Sequence, residues 1–263
     1  MSSSITRAIT DLRTGSSQPW AWGMMAMQDI RLRYRGSVLG PLWASLTTLI
    51  MVGSMGFVYA LIFNMDIAVY LPYLTFGLIP WQFISSAINE GCQSFIASQP
   101  IMLQTKMPLT VHNLRTVYRN VLVTAHNVPI VIGVALVFHV PWDWYTLMVI
   151  PAAIVLVIAA IAFGLLLGMV SARFRDVPLI VTNVMQLIFF LTPILWQADL
   201  LRDYRIIADA NPFYAAVDIV RSPLLGQAPS SWSWPVIGIT TACLLVISFA
   251  LFAKFRRRIA YWV

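Results

Sequence analysis

Charge is scarce in this chain of 263 residues: Asp, Glu, Lys and Arg make up 10% of it, against 59% hydrophobic residues. A soluble domain normally has ~45–50% apolar and ~25% charged residues, so most of the apolar surface here must face lipid. Lysine occurs only twice, at Lys106 and Lys254, and neither follows a glycine in the G-x-x-x-x-G-K-[ST] pattern that cradles nucleotide phosphates. ATP is not bound on this chain by that device. Cys92 and Cys243 are far apart in sequence and suggest neither a disulfide framework nor a metal site; a buried, reduced thiol is the expectation for each. The first 20 residues are rich in Ser and Thr and hold no apolar core segment, so no cleavable signal peptide is expected.

What is present is a series of long uncharged runs. Arg31-Leu32-Arg33-Tyr34-Arg35 is followed at once by 26 uncharged residues, Val38 to Phe63, enough to cross a ~30 Å hydrocarbon layer with tilt. Five further runs, Val69 to Asn89, Val121 to Val140, Tyr145 to Val170, Leu179 to Trp196 and Pro235 to Phe252, also lack Asp, Glu, Lys and Arg. Six transmembrane helices are predicted, in an all-α polytopic membrane protein. With both termini cytoplasmic, 14 of the 17 Lys and Arg residues fall on the inner side, leaving Arg202, Arg205 and Arg221 outside. The net charge of +7 then reflects topology and contact with anionic membrane lipids, and no nucleic-acid partner is expected.

Before the first run, Trp20, Met24, Met27, Ile30 and Tyr34 recur at helical spacing between polar residues. They predict an amphipathic helix lying along the inner surface, with Gly15-Ser16-Ser17 as a flexible leader. Residues 1–35 thus form a cytoplasmic N-terminus with an interface helix, and 36–263 the membrane domain. The stretch from Glu90 to Arg119 is the longest inner loop, where Pro100 and Pro108 fence Ile101 to Met107. Docking into a groove on a soluble partner and lying on lipid both fit that composition. In the outer loop, Gln197 to Ser233, Asn211-Pro212 reads as an N-cap with Pro at the first helical position, and Phe213, Val217, Val220 and Leu224 mark one face. Leu200 to Ala208 forms a second short helix by the same spacing, and both are expected to dip into the outer leaflet or cap a passage. Trp232 and Trp234 are expected to anchor the last span at the interface.

Ion coupling usually needs an ionisable group inside the spans. The deepest candidate is His126, which has no acidic partner in any span, so ion-driven transport and proton pumping are not indicated. Ala160, Gly164 and Gly168 make a stripe of small residues that suits either a dimer contact or packing within one chain. Asp199, Asp203, Asp209 and Asp218 raise the alternative of a membrane enzyme acting on polyprenyl lipids, but they alternate with Arg202, Arg205 and Arg221, as on solvated helix faces. A passive scaffold is the third class, against which the fenced inner segment argues.

Taken in order, Arg33-Tyr34-Arg35-Gly36-Ser37-Val38-Leu39-Gly40-Pro41-Leu42-Trp43, Lys106-Met107-Pro108-Leu109, Arg173-Phe174-Arg175-Asp176, Thr192-Pro193-Ile194, Asn211-Pro212-Phe213, Arg221 and Leu225-Gly226 resemble the membrane subunit of polysaccharide and O-antigen exporters. These are type 2 permeases of the ATP-binding-cassette class, and the likeness runs over almost the whole chain. It implies a non-enzymatic permease in a bacterial inner membrane, a second copy of the chain, and two separate nucleotide-binding ATPase subunits that carry ATP and Mg. No cofactor is implied on this chain. The cargo implied is a polyprenyl-pyrophosphate-linked glycan. By the same likeness, ATPase coupling falls to Gln99, Pro100, Gln104, Lys106, Met107 and Pro108. The periplasmic gate falls to the two short outer helices, with Tyr204, Asn211, Pro212, Phe213, Tyr214 and Arg221. Arg31, Arg33 and Arg35 have guanidinium forks suited to a lipid pyrophosphate; they also satisfy the positive-inside rule. Trp43, Tyr59, Trp81, Phe83, Phe189, Phe190 and Trp196 are candidates for a glycan channel, since aromatic rings can meet the apolar faces of sugars. An exporter of a drug or small lipid shares the architecture, but such pumps tend to carry a large outer loop or a fused ATPase.

Overall fold

The computed structural model describes residues 2–263, with side chains from Ser4 onward, and every regular element among them is helical. Two helices, α1 (Ser2–Ser16) and α2 (Pro19–Arg33), precede the first long apolar helix, α3 (Leu42–Ile62). Gly15 and Ser16 of the expected flexible leader instead close α1, with Ser17 in the turn after it, and the helix is held by packing: Ala8 and Asp11 are buried, and a Cβ on Gly15 would lie 2.9 Å from Thr110 Cβ. In α2 the predicted apolar face divides. Trp20, Met24 and Met27 remain exposed, whereas Ile30 is buried with Ala21 and Ala26 against the bundle. Helix α3 begins later than the apolar run, because Gly36 and Gly40 take φ of 81° and 56° and turn the chain first.

Then come α4 (Ile67–Gln93), the short α5 (Gln99–Gln104), α6 (Leu109–Ala125) and α7 (Val128–Val137). The predicted Glu90–Arg119 loop is therefore mostly helical, only Ser94–Ser98 and Thr105–Pro108 being irregular. The third run breaks at His126-Asn127, where Pro129 in the first turn of α7 lacks a backbone donor and Ile130 N bonds Asn127 O in place of His126 O. The freed His126 carbonyl accepts a hydrogen bond from Ser45 Oγ of α3 at 2.7 Å, which answers the requirement that backbone groups at membrane depth be satisfied.

A 3₁₀ turn (Trp144–Met148) leads into α8 (Val149–Arg173), and α9 (Val177–Leu191) follows. Far from reaching Trp196, α9 stops because Pro193 pushes Thr192 to an extended conformation, φ −92° and ψ 133°. Its 15 residues rise ~22 Å, short of a ~30 Å core. Among the described residues five helical stretches, with α6 and α7 counted as one (Leu109–Val137), are long and apolar enough to cross a membrane, and α9 is a shorter apolar helix beside them. The remainder is a kinked 3₁₀ segment (Ala198–Tyr204), α10 (Ile206–Asp209), α11 (Pro212–Leu224) and α12 (Ser233–Trp262).

Helix α4 is the axis of the bundle and packs on α3, α6, α8, α9 and α11. It meets α8 along glycine: a Cβ on Gly91 would sit 2.9 Å from Gly164 Cα, and one on Gly168 would sit 2.6 Å from Ser94 Oγ. The stripe of small residues thus packs within the chain, and Gly164 also receives Asn113 of α6, whose Oδ1 lies 2.0 Å from the place a Cβ would take.

Candidate functional site

The two ends of the bundle differ in chemistry. At the arginine-rich end, Asp29 of α2 and Glu90, the only glutamate of the chain, hold three arginines. Arg115 Nε donates to Asp29 Oδ2 at 2.7 Å, and its Nη2 to Oδ1. Arg119 bridges the two acids, donating through Nη1 to Asp29 at 2.6 Å and through Nη2 to Glu90 at 2.9 Å. Arg33 Nη2 reaches Glu90 Oε1 at 3.0 Å, and Asn120 Nδ2 reaches Oε2 at 2.8 Å. Burial alone would raise the Asp29 carboxyl, but the hydrogen bonds and charges of Arg115 and Arg119 hold it below the usual carboxylate range. The network rivets the surface helix α2 to α4 and α6. Its arginines are spaced i, i+4 on α6, which puts both on the face that α2 covers.

A third acid, Asp11 of α1, has a fully buried side chain and caps α6. Its carboxylate accepts from Leu109 N at 3.2 Å, Thr110 N at 3.0 Å and Thr110 Oγ1 at 2.7 Å, and from Arg256 Nε of α12 at 2.7 Å. A carboxylate at a helix N-terminus satisfies orphan amides and suits the helix dipole.

Between these anchors stands the fenced segment. Helix α5 buries none of its residues, Leu103 is 71% exposed, and Gln104 and Lys106 are exposed while Met107 and Pro108 are half-buried. Gln99 Nε2 donates to the backbone carbonyl of Val263 at 2.6 Å, which straps the segment to the end of α12. Lys106, Met107 and Pro108 line a cleft of about 630 Å³ with Arg7 of α1 and Arg256 and Arg257 of α12. Of these cations Arg256 is neutralised by Asp11; Arg7, Lys106 and Arg257 face solvent. The structure therefore brings four of the predicted coupling residues, Gln99, Lys106, Met107 and Pro108, against α1 and the last helix, partners that sequence spacing did not reveal.

The three arginines before α3 separate. All three are exposed, but Arg33 is paired with Glu90. Among the aromatic candidates, Trp81 and Phe83 are buried in the core of one chain, Trp81 packing on Phe189 and Phe213 at centroid distances of 5.7 and 6.1 Å. Trp43 and Phe190 are exposed; Tyr59, Phe189 and Trp196 are half-buried.

At the opposite end the gate candidates surround non-helical backbone. Asn211 caps α11 as its sequence predicts, accepting from Phe213 N at 2.9 Å, and its Nδ2 donates to Thr192 Oγ1 at 3.1 Å. The other short helix does not form as one piece, because Arg202 takes φ 48° and ψ −112° and splits it; Tyr204 is exposed there. The non-helical Thr192–Trp196 segment has three of its carbonyls taken by side chains. Arg221 Nη1 donates to Pro193 O at 2.8 Å, Tyr70 Oη to Leu195 O at 2.6 Å and Tyr73 Oη to Trp196 O at 2.9 Å. Arg221 is 3% exposed and its guanidinium lies 4.3 Å from the Tyr73 ring centroid. Burial pushes the Tyr214 hydroxyl up to about 12, so it remains a proton donor at neutral pH.

The reading of the outer aspartates as solvated needs correction at Asp218. It is 4% exposed and accepts from Ser222 Oγ at 2.7 Å, Ser230 N at 2.9 Å and Ser233 Oγ at 2.6 Å, fastening the loop and the start of α12 to α11. Asp199 and Asp209 pair with Arg205. Among the described residues no three His, Cys, Asp or Glu side chains converge as metal ligands would.

Long apolar helices, a surface helix riveted to them by partly buried ion pairs and a side-chain-supported break after α9 define a multi-pass α-helical membrane protein. The chain belongs to the ABC-2 type transporter family, which matches residues 21–225. Membership implies a partner ATPase, in keeping with the missing phosphate-binding lysine motif. The chain is similar to the O-antigen export system permease protein RfbA of Klebsiella pneumoniae, at 26% identity over 238 residues covering 89% of this chain and 91% of the relative. It is also similar to the protein of that name from Myxococcus xanthus, at 25% identity over 185 residues covering 68% and 69% of the two chains.

Proposed function

We propose that this chain is the membrane subunit of an exporter that moves a lipid-linked, O-antigen-like polysaccharide across the bacterial inner membrane, driven by ATP and Mg on a separate subunit. The observation that carries this reading is likeness to O-antigen export permeases along 89% of the chain. The arginine-rich end is then cytoplasmic, with both termini, following the positive-inside rule.

Two copies of the chain and two ATPase subunits make up the exporter. Residues Gln99 to Pro108 receive the ATPase, and Leu103 supports this as an exposed apolar knob beside three solvent-facing cations. A push on that segment reaches α4 and α6 directly, and reaches α1 and α12 through Asp11 and the Gln99 to Val263 strap. The partly buried network of Asp29, Arg115, Arg119 and Glu90 makes α2 move with α4 and α6. Arg31 and Arg35 are the arginines available to a pyrophosphate headgroup, since Arg33 is held by Glu90. Exposed Trp43 and Phe190 offer the sugar-facing surfaces. At the other end, the supported Thr192–Trp196 segment, the kinked 3₁₀ segment Ala198–Tyr204 and α11 form the gate.

Deleting the gene in the organism that makes the protein tests the reading. Loss of the surface polysaccharide with lipid-linked glycan accumulating inside is expected. Normal surface polysaccharide with no accumulation would refute it.

A further inference from the structure

The gate end holds a half-open cavity of about 470 Å³ between α4, the turn after α7, the 3₁₀ segment and α11. That volume lies in the ~300–1,000 Å³ range of small-molecule sites. Its walls are pinned. A Cβ on Gly226 would lie 2.3 Å from Pro141 O, so the two rim loops are in contact; Ser230 N is held by Asp218, and Thr146 Oγ1 donates to Pro223 O at 3.2 Å.

The charged groups lining it are already engaged within the protein. Arg221 is held by Pro193 O and the Tyr73 ring, Asp218 by three donors, and Arg205 and Asp199 by each other. The buried charges, Arg221 and Asp218, are therefore not free for a charged ligand, while His139 and the Arg205–Asp199 pair lie exposed at the rim. The remaining polar groups are neutral. Tyr214 is 5% exposed and lines the cavity, and among the described residues neither its hydroxyl nor the side-chain amides of Gln197 and Gln227 has a hydrogen-bond partner. Tyr73 and Phe138 add aromatic surface.

Neutral donors and acceptors beside aromatic rings suit a polyol that offers hydroxyls around an apolar ring face. We propose that this cavity is a binding subsite for uncharged sugar residues, engaging the glycan as it leaves the passage. The proposal rests on the export reading and adds to it a site within each copy of the chain, lined by residues other than the aromatic candidates. A hold at this point would oppose back-sliding while the gate is open.

The test uses the full chain with its ATPase in nanodiscs. The probes are the polysaccharide of the producing cells freed of its lipid by mild acid, and the intact lipid-linked form. Calorimetry should show the freed glycan binding with an affinity that changes little between low and high salt. Tyr214→Phe should weaken it about three- to tenfold, the range of one neutral hydrogen bond. Ala228→Trp, at an exposed position of the lining, should fill the cavity and weaken it at least about tenfold, as steric exclusion from a pocket does. Unchanged binding in both variants, or steeply salt-dependent binding, would overturn the proposal. So would a wild-type protein whose ATPase is stimulated by the lipid-linked form but which ignores the freed glycan, and in that case the export reading stands. If neither form acts on the wild type, the export reading fails and the subsite with it.

Discussion

Replacing Asp29 by Ala removes the one group that ties α2 to both Arg115 and Arg119. Three hydrogen bonds to charged donors are lost, and the two arginine side chains are only 17% exposed. Breaking a fully buried pair costs ~3–5 kcal/mol. Arg119 keeps Glu90 and some solvent reaches both guanidinium groups, which places the expected cost at ~3 kcal/mol. At ~2–4 °C per kcal/mol for a chain of roughly this size, the melting temperature should fall by ~6–12 °C. Asp29→Asn keeps one acceptor and should lose about half as much. Combining Asp29→Ala with Arg115→Met removes both members of the closest pair, so the double variant should be more stable than the sum of the singles by ~1–3 kcal/mol. Thermal unfolding in detergent, read by size exclusion, measures each value. A melting temperature unchanged by Asp29→Ala, or strict additivity in the double variant, would refute the claim that the network fastens α2.

Acid should loosen the same joint. The folded-state pKa of Asp29 is depressed, so its stabilisation is complete above the unfolded value near ~4 and is lost as pH falls through the folded value; a melting series from pH 7 to pH 3 should drop at the acid end, and Asp29→Asn should flatten that drop. Gly164→Ala should cost ~1–3 kcal/mol, because its methyl would displace Asn113 from its 2.9 Å bond to Ile161 O; the melting temperature checks it, and Gly53→Ala, where nothing lies within 4 Å, is the control. Asp218→Ala should cost ~2–4 kcal/mol and increase proteolysis in the Gln227–Ser231 loop, since three donors lose their acceptor. Lys106→Asp with Met107→Asp should leave the protein in the membrane yet uncouple export from ATP hydrolysis, measured as surface polysaccharide against ATPase rate; unchanged export would remove the coupling assignment.

The spans were readable because a run of some twenty uncharged apolar residues has few physical outcomes besides a helix in lipid. Their ends were not. Pro129 and Pro193 sit inside apolar runs, and composition does not register the donor each removes or the conformation it imposes on its neighbour. The extensions of α4, α6 and α12 beyond the apolar runs carry Glu90, Arg115, Arg119 and Arg256, residues that look like loop charge until their partners on α1 and α2 are known. Helix α1 was hidden because its stripe of Ile5, Ala8, Ile9 and Leu12 is diluted by Ser and Thr. At the gate, the Asn211 cap was local and therefore visible. The contact of Tyr70 with Leu195 O spans 125 residues of sequence, and no local pattern announces it. Asp218 was misread for a related reason: its three donors are Ser222, Ser230 and Ser233, and a polar serine-rich segment reads as solvent-exposed until the turn folds back on α11.

The most direct measurement is gentle purification of the tagged protein from its native membrane, with mass spectrometry of every protein and lipid that accompanies it. A stoichiometric ATPase subunit together with a polyprenyl-linked glycan is the expected result. An intact protein that brings no ATPase and no glycan lipid would contradict the account.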